Sequence, residues 1–229
     1  MDALIDVLAR LGVIPVLSVE EVERAEPLAD ALAAGGLPVA EITFRTAAAA
    51  AVIERLARHR PEVLVGAGTV LSVESLLAAR DAGARFALAP GFTPEVVARA
   101  REIGMPFFPG VMTPSEIQGA LARGAKVMKF FPAQPAGGPA MLRALAAPYA
   151  FHGVRFIPTG GVNPENLEAW LALESVVAVG GTWIATPQQI AGGDWEGVRS
   201  RAAAARAAVA RCRPDPAAAA RGEASRSQQ

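Results

Sequence analysis

Two residues in this chain of 229 have side chains that suit covalent carbonyl chemistry and sit where an ordinary strand would not keep a charge. Lys129 lies inside the apolar run Val127-Met128-Lys129-Phe130-Phe131-Pro132. Only two of the 22 basic residues are lysine, Lys126 and Lys129, and the rest are arginine. An amine can give up its proton and attack a carbonyl carbon, which a guanidinium cannot do, so a lysine kept in this setting points to nucleophilic catalysis. The competing structural explanation is a strand lysine paired with a carboxylate or reaching out at the strand's end. Lys126 is an odd number of positions away, points to the opposite face, and reads as an exposed strand start. Glu41, in Ala40-Glu41-Ile42-Thr43-Phe44-Arg45, stands at comparable depth in another apolar strand. There it can either carry protons for Lys129 or serve as a fixed charge partner of Lys129 or Arg45. Arg45, at the strand's exit, suits a bidentate grip on a small carboxylate, with the Thr69 hydroxyl as a further donor.

A second set of residues suits an anion. Thr159-Gly160-Gly161 and Gly180-Gly181-Thr182 are glycine pairs beside a hydroxyl, and they follow the last two strand candidates. Glycines let backbone N–H groups approach phosphate oxygens, and the two loops together are what a barrel phosphate site requires. The remaining composition narrows the chemistry. The formal net charge is zero, so no overall field gathers nucleic acid or anionic lipid. One cysteine, Cys212, and two histidines, His59 and His152, leave little for a zinc or di-metal site and exclude an internal disulfide. Both histidines read as exposed, and Cys212 carries no sign of reactivity. The opening MDALIDVLARLG has acidic residues where a signal peptide needs positive charge, so it reads as an amphipathic helix of a cytoplasmic protein. The longest uncharged stretch, 175–193 without its charged flank, is broken by Gly, Pro and Gln, which predicts no membrane span.

The elements that would hold these residues repeat about eight times as strand, capped loop, helix and glycine. Strands are predicted at 12–17, 38–44, 63–66, 85–89, 106–108, 126–131, 155–158 and 176–179. Helix starts are marked by Thr93-Pro94, Thr113-Pro114, Asn163-Pro164 and Thr186-Pro187, each a capping side chain before a proline. Thr113 with Glu116, Ser18 with Glu21, and Thr186 with Gln189 have capping-box spacing. Gly35, Gly83, Gly104 and Gly124 fall where helices should end. Strand count and length favour an α/β fold closing as a single (β/α)8 barrel with an N-terminal helix over an open doubly wound sheet. No dinucleotide-type glycine fingerprint follows the first strand, where Pro15-Val-Leu-Ser-Val-Glu stands. Residues 1–213 are expected to form the barrel, and 214–229, without apolar periodicity, a disordered tail.

Read in order, Val13-Ile-Pro-Val-Leu, Glu41-Ile-Thr-Phe-Arg-Thr, Gly66-Ala-Gly-Thr-Val-Leu, Ala89-Pro-Gly, Pro109-Gly-Val, Lys129-Phe-Phe-Pro-Ala, Pro158-Thr-Gly-Gly-Val and Gly180-Gly-Thr-Trp span nearly the whole chain. This ordered set resembles the 2-keto-3-deoxy-6-phosphogluconate and 4-hydroxy-2-oxoglutarate aldolases, class I enzymes. The resemblance implies a (β/α)8 barrel assembled as a homotrimer, with a small 2-keto acid substrate and no metal or other cofactor. It implies that Lys129 forms the Schiff base and Glu41 is the general acid/base. Arg45 and Thr69 would hold the pyruvate carboxylate, Gly160, Gly161, Gly181 and Thr182 the phosphate, and Pro90, Phe131 and Thr159 would line the pocket. At position 182 the family often has serine, so the methyl of Thr182 is a departure that bears on phosphorylated against unphosphorylated substrates. A different class of function stays open on the residues alone: a phosphate-binding barrel isomerase or synthase that uses Glu41 and Lys129 without a covalent intermediate.

Overall fold

A computed structural model of the chain describes residues 1–213; the tail expected at 214–229 lies outside the described residues. The strands are β1 (Val13–Leu17), β2 (Val39–Thr43), β3 (Leu64–Gly68), β4 (Phe86–Leu88), β5 (Phe107–Phe108), β6 (Gly110–Val111), β7 (Val127–Phe130), β8 (Arg155–Pro158) and β9 (Val179–Gly181). The α-helices are α1 (Asp2–Leu11), α2 (Ala25–Ala34), α3 (Ala49–His59), α4 (Val73–Asp81), α5 (Pro94–Glu102), α6 (Pro114–Ala122), α7 (Gly138–Ala146), α8 (Leu167–Leu171), α9 (Pro187–Gly192) and α10 (Trp195–Cys212). Every predicted strand is recovered in whole or in part, with a helix between most successive strands.

All strand pairings are parallel. They form a six-stranded sheet in the order β5-β4-β3-β2-β1-β9 and a three-stranded sheet in the order β6-β7-β8. The ladder is therefore divided where one closed ring was expected. The division falls at Pro109, between β5 and β6, where proline supplies no N–H to continue a ladder. At the other junction two isolated parallel bridges, Phe156↔Val176 and Thr159↔Gly180, join the runs of β8 and β9. The last predicted strand, 176–179, is accordingly a bridge at Val176 followed by β9. The sheet is curled: Lys129 on β7 meets Glu41 on β2, although these strands belong to different sheets.

Burial on both faces explains the near-continuous apolar strands. Ile14, Val39, Phe86, Leu88, Phe108, Val127 and Ile157 form an inner core with Ile5 and Leu8 of α1. A larger core of Val, Leu, Ile and Ala joins the helices to the outer face of the strands. Val39 is two residues before Glu41, and Val127 two before Lys129, so on each strand the apolar and charged residues share a face. The inner core fills the space on the amino-terminal side of the charged pair, and α1 covers it.

Caps account for several of the boundaries. Thr113 with Glu116 and Thr186 with Gln189 form the expected capping boxes, and Ser72 with Ser75 forms one that sequence spacing did not suggest. Thr93 starts α5 without a side-chain cap. Ser18 does not cap a helix: its Oγ lies 2.9 Å from Oγ1 of Thr43, and α2 begins only at Ala25, after a short 3-10 turn. Asn163-Pro164 precedes a turn, and α8 starts later, at Leu167. Gly36, not Gly35, takes the left-handed conformation after α2, with φ 79°. No helix among the described residues is long and apolar enough to cross a membrane.

Candidate active site

Lys129 and Glu41 meet on the inner face of the curled sheet. Lys129 Nζ donates to Glu41 Oε1 at 3.2 Å, with Lys129 4% exposed and Glu41 fully buried. Register explains the meeting: Glu41 pairs with Gly66 and Val16, and Lys129 pairs with Gly110 and Ile157, so each charge occupies a strand centre and faces inward. Burying both charges costs several kcal/mol each unless they pair, which disfavours an incidental placement. Glu41 Oε2 has no hydrogen-bond partner among the described residues. This oxygen is free to accept a proton from, or return one to, a molecule bound beside Lys129. The Phe131 ring lies 5.6 Å from Nζ and closes one side of the amine.

Glycine on β3 makes room for the carboxylate. A Cβ on Gly68 would collide with the Glu41 carboxyl group, and one on Gly66 with the Phe86 ring. The following residue, Thr69, has φ 57°, the one non-glycine left-handed residue among those described. Phe44 N–H donates to Gly68 O at 2.8 Å, so Arg45 and Thr69 leave neighbouring strands at one level. Arg45 is exposed and Thr69 half-buried. Pro90, half-buried after β4, lies with its backbone against Gly110, where a Cβ would strike it.

The two glycine loops adjoin through the Thr159↔Gly180 bridge. Thr159 is buried, and its hydroxyl occupies the space a Cβ on Gly180 would need. Gly160 and Gly161 have φ of 99° and 77°, conformations that glycine adopts readily. Gly181 packs on the Trp183 ring, and Thr182 is exposed, so its methyl is not packed in the core. Thus Lys129, Glu41 and Phe131 are in one cluster, Arg45 and Thr69 leave neighbouring strands together, and the residues of the glycine loops form a third group. Arg45, Thr69, Phe131 and the glycine loops lie at or beyond the carboxyl ends of strands, where barrel enzymes carry their chemistry, and Lys129 and Glu41 face inward from the strands themselves.

Sequence reasoning passed over three features. Thr43 is buried two residues beyond Glu41, and its hydroxyl donates to Leu17 O at 3.1 Å; period-two spacing from Glu41 was the available signal. Gly68 stands in the sequence only as one residue of the Gly66-Ala-Gly-Thr-Val-Leu block, and the room it leaves for Glu41 depends on two strands pairing. Gln134 and Asn166, which bind the Gly160-Gly161 loop, gave no signal because their role depends on two loops meeting. His59 and His152 are exposed, as is Lys126. A cavity of about 410 Å3, lined in part by Met1, Ile5, Phe107, Lys126 and Arg155, opens at the opposite, amino-terminal end of the strands. No group of three or more His, Cys, Asp or Glu among the described residues could hold a metal ion.

The family model for KDPG and KHG aldolase matches residues 4–200. The 2-dehydro-3-deoxy-phosphogluconate aldolase of Treponema pallidum is 47% identical over 198 residues, covering 86% of this chain and 93% of its own. The KHG/KDPG aldolase of Escherichia coli is 44% identical over 184 residues, covering 80% and 85%. Among solved structures, a KDPG aldolase from Legionella pneumophila, with pyruvate captured at low pH as a covalent carbinolamine intermediate, superimposes with a TM-score of 0.83 at 41% identity. It covers 87% of this chain and 96% of its own.

Proposed function

The chain belongs to the KDPG and KHG aldolase family, and from that premise we propose the roles its residues play in the aldol cleavage of 2-keto-3-deoxy-6-phosphogluconate. The enzyme is a lyase of the class I type. Lys129, once neutral, adds through Nζ to the C2 carbonyl and gives a carbinolamine. Glu41 supplies the proton with which water departs, leaving an iminium. The C4 hydroxyl gives its proton to the Glu41 carboxylate, the C3–C4 bond breaks, and its electrons pass into the iminium, which becomes an enamine. Glyceraldehyde 3-phosphate leaves. Protonation of the enamine at C3, with Glu41 as proton carrier, regenerates an iminium, and water releases pyruvate and the free amine. The same steps act on 4-hydroxy-2-oxoglutarate, yielding pyruvate and glyoxylate.

Arg45 and Thr69 hold the carboxylate end and Gly160, Gly161, Gly181 and Thr182 the phosphate, so the scissile bond is stretched between two anchors. Pro90, Phe131 and Thr159 shape the space between them. The observation that carries these roles is the buried 3.2 Å contact between Lys129 Nζ and Glu41, with one carboxylate oxygen left unpaired. We read the two sheets as one (β/α)8 barrel, with β5 and β6 as a single strand interrupted at Pro109 and the two bridges closing the ring. Residues 1–213 are the catalytic unit; the enzyme works in the cytoplasm, in line with its acidic N-terminal helix, and as a homotrimer, in line with the family resemblance.

The test is to incubate the protein with pyruvate and sodium borohydride and map the adduct by peptide mass spectrometry. A reduced pyruvyl group on Lys129 is expected. An unmodified Lys129 in folded, active protein would overturn the covalent route and leave acid–base chemistry without a Schiff base.

A further inference from the structure

The Gly160-Gly161 loop does not hold its shape alone. Gln134 N–H donates to Gly160 O at 2.9 Å, and Asn166 Nδ2 donates to Gly161 O at 2.9 Å and to Gln134 Oε1 at 3.4 Å. Each peptide unit is planar and trans, so a carbonyl held on one side turns the N–H of the same unit to the other. The two pinned carbonyls thereby fix the N–H groups of Gly161 and Val162, and neither of these donates to a protein acceptor among the described residues. Successive backbone N–H groups left free in a turn are able to form an anion-binding concavity. Asn166 is itself fixed: its N–H donates to Asn163 Oδ1 and its Oδ1 accepts from Asn163 N–H, each at 3.0 Å. Gln134 follows Lys129 on the loop leaving β7, and a Cβ on Gly161 would press on the Gln134 side chain at 2.6 Å.

We propose that Asn166 is a positioning residue for the phosphate cradle: by pinning the Gly161 carbonyl directly and bonding Gln134, whose N–H pins the Gly160 carbonyl, it aims the Val162 and Gly161 N–H groups at the substrate phosphate. This rests on the assignment of that loop to phosphate made above. Asn166 touches no reacting atom, so its effect falls on recognition of the phosphorylated end alone.

Asn166→Asp keeps the oxygen that accepts from Asn163 but exchanges the donor for a charged oxygen; Asn166→Ala removes the side chain without adding charge. In the full-length enzyme both are expected to raise KM for 2-keto-3-deoxy-6-phosphogluconate about five- to tenfold, the scale of one hydrogen bond, and to weaken competitive inhibition by inorganic phosphate equally. Turnover at saturation, and kcat/KM for unphosphorylated 4-hydroxy-2-oxoglutarate, should change by less than about twofold. Equal losses on both substrates would show a merely structural role and overturn the proposal, as would unchanged KM in both variants or an effect confined to Asn166→Asp, which is charge repulsion. If inorganic phosphate fails to compete in the unsubstituted enzyme, the loop is not a phosphate site and the inference falls with that assignment.

Discussion

Lys129 and Glu41 are 88 residues apart in sequence, stand on strands of two different sheets, and meet at 3.2 Å in a space almost closed to water. The contact has two chemical meanings. As a resting ion pair it satisfies two charges whose isolated burial would cost several kcal/mol each. As a donor and acceptor within reach, it also gives the ammonium proton a place to go before the amine attacks.

The first consequence concerns Lys129 itself. Lys129→Arg keeps a positive charge and a hydrogen bond to Glu41 but offers no nucleophilic nitrogen. Both Lys129→Arg and Lys129→Ala should lower kcat for aldol cleavage by at least about a thousandfold, measured by coupling pyruvate release to a dehydrogenase. Substantial activity in the folded arginine variant would remove Lys129 from the covalent role.

Glu41→Gln separates proton transfer from charge pairing. The amide keeps the size of the carboxyl and an acceptor oxygen for Lys129, but it cannot carry protons. A fall in kcat of about a hundredfold to ten-thousandfold is expected, while borohydride with pyruvate should still label Lys129, more slowly. If labelling and turnover both persist at full rate, the proton carrier is another group.

How far these features could be read from sequence follows from their physics. Lys129 and Glu41 were legible because a charge inside an apolar strand departs from local expectation, and Thr113 and Thr186 because capping is local chemistry. The division of the sheet at Pro109 is a one-residue interruption that spacing does not reveal. Ser18 has the spacing of a cap yet its hydroxyl meets Thr43, because that contact forms across two strands. Asn166 and Gln134 were invisible for the same reason: nothing in either segment says that the loops after β7 and β8 adjoin.

Gly68 is predicted to be intolerant of even one methyl. A Cβ there collides with Glu41 Oε1, the same oxygen that accepts from Lys129, so the carboxyl group cannot move away without giving up that bond. Gly68→Ala should cost about 1–3 kcal/mol of stability through overpacking, seen as a lower denaturation midpoint, and should lower kcat more than it raises KM by displacing Glu41. Unchanged kcat would show that the carboxylate position is not critical.

A separate prediction concerns acid stability at α6. Burial works to raise the pKa of Glu116, but the N–H of Met112 and the hydroxyl and N–H of Thr113 outweigh it and hold the carboxyl below its ordinary value. A carboxyl depressed in the folded state contributes stability above its unfolded pKa, and the contribution is lost as pH falls through the folded value. Thr113→Ala removes the cap and should cost about 1 kcal/mol at neutral pH. The gap between the variant and the parent should narrow as pH is lowered past the ordinary carboxyl range. Chemical denaturation across pH checks this; a gap that widens toward acid has the wrong sign for the cap.

Thr69 offers a prediction in which two backbone effects oppose each other. A β-branched residue at φ 57° holds strain of about 1–3 kcal/mol, and Thr69→Gly relieves it. Glycine also frees the unfolded chain, which takes back about 0.4–1 kcal/mol. Stability should therefore stay level or rise slightly. The hydroxyl assigned to the substrate carboxylate is lost, so KM for the keto acid should rise several-fold. Thr69→Ala loses the same hydroxyl and keeps the left-handed backbone, so it should match the glycine variant in KM without its gain in stability. If the two variants differ in KM but not in melting temperature, it is backbone geometry rather than the hydroxyl at this position that the substrate reads.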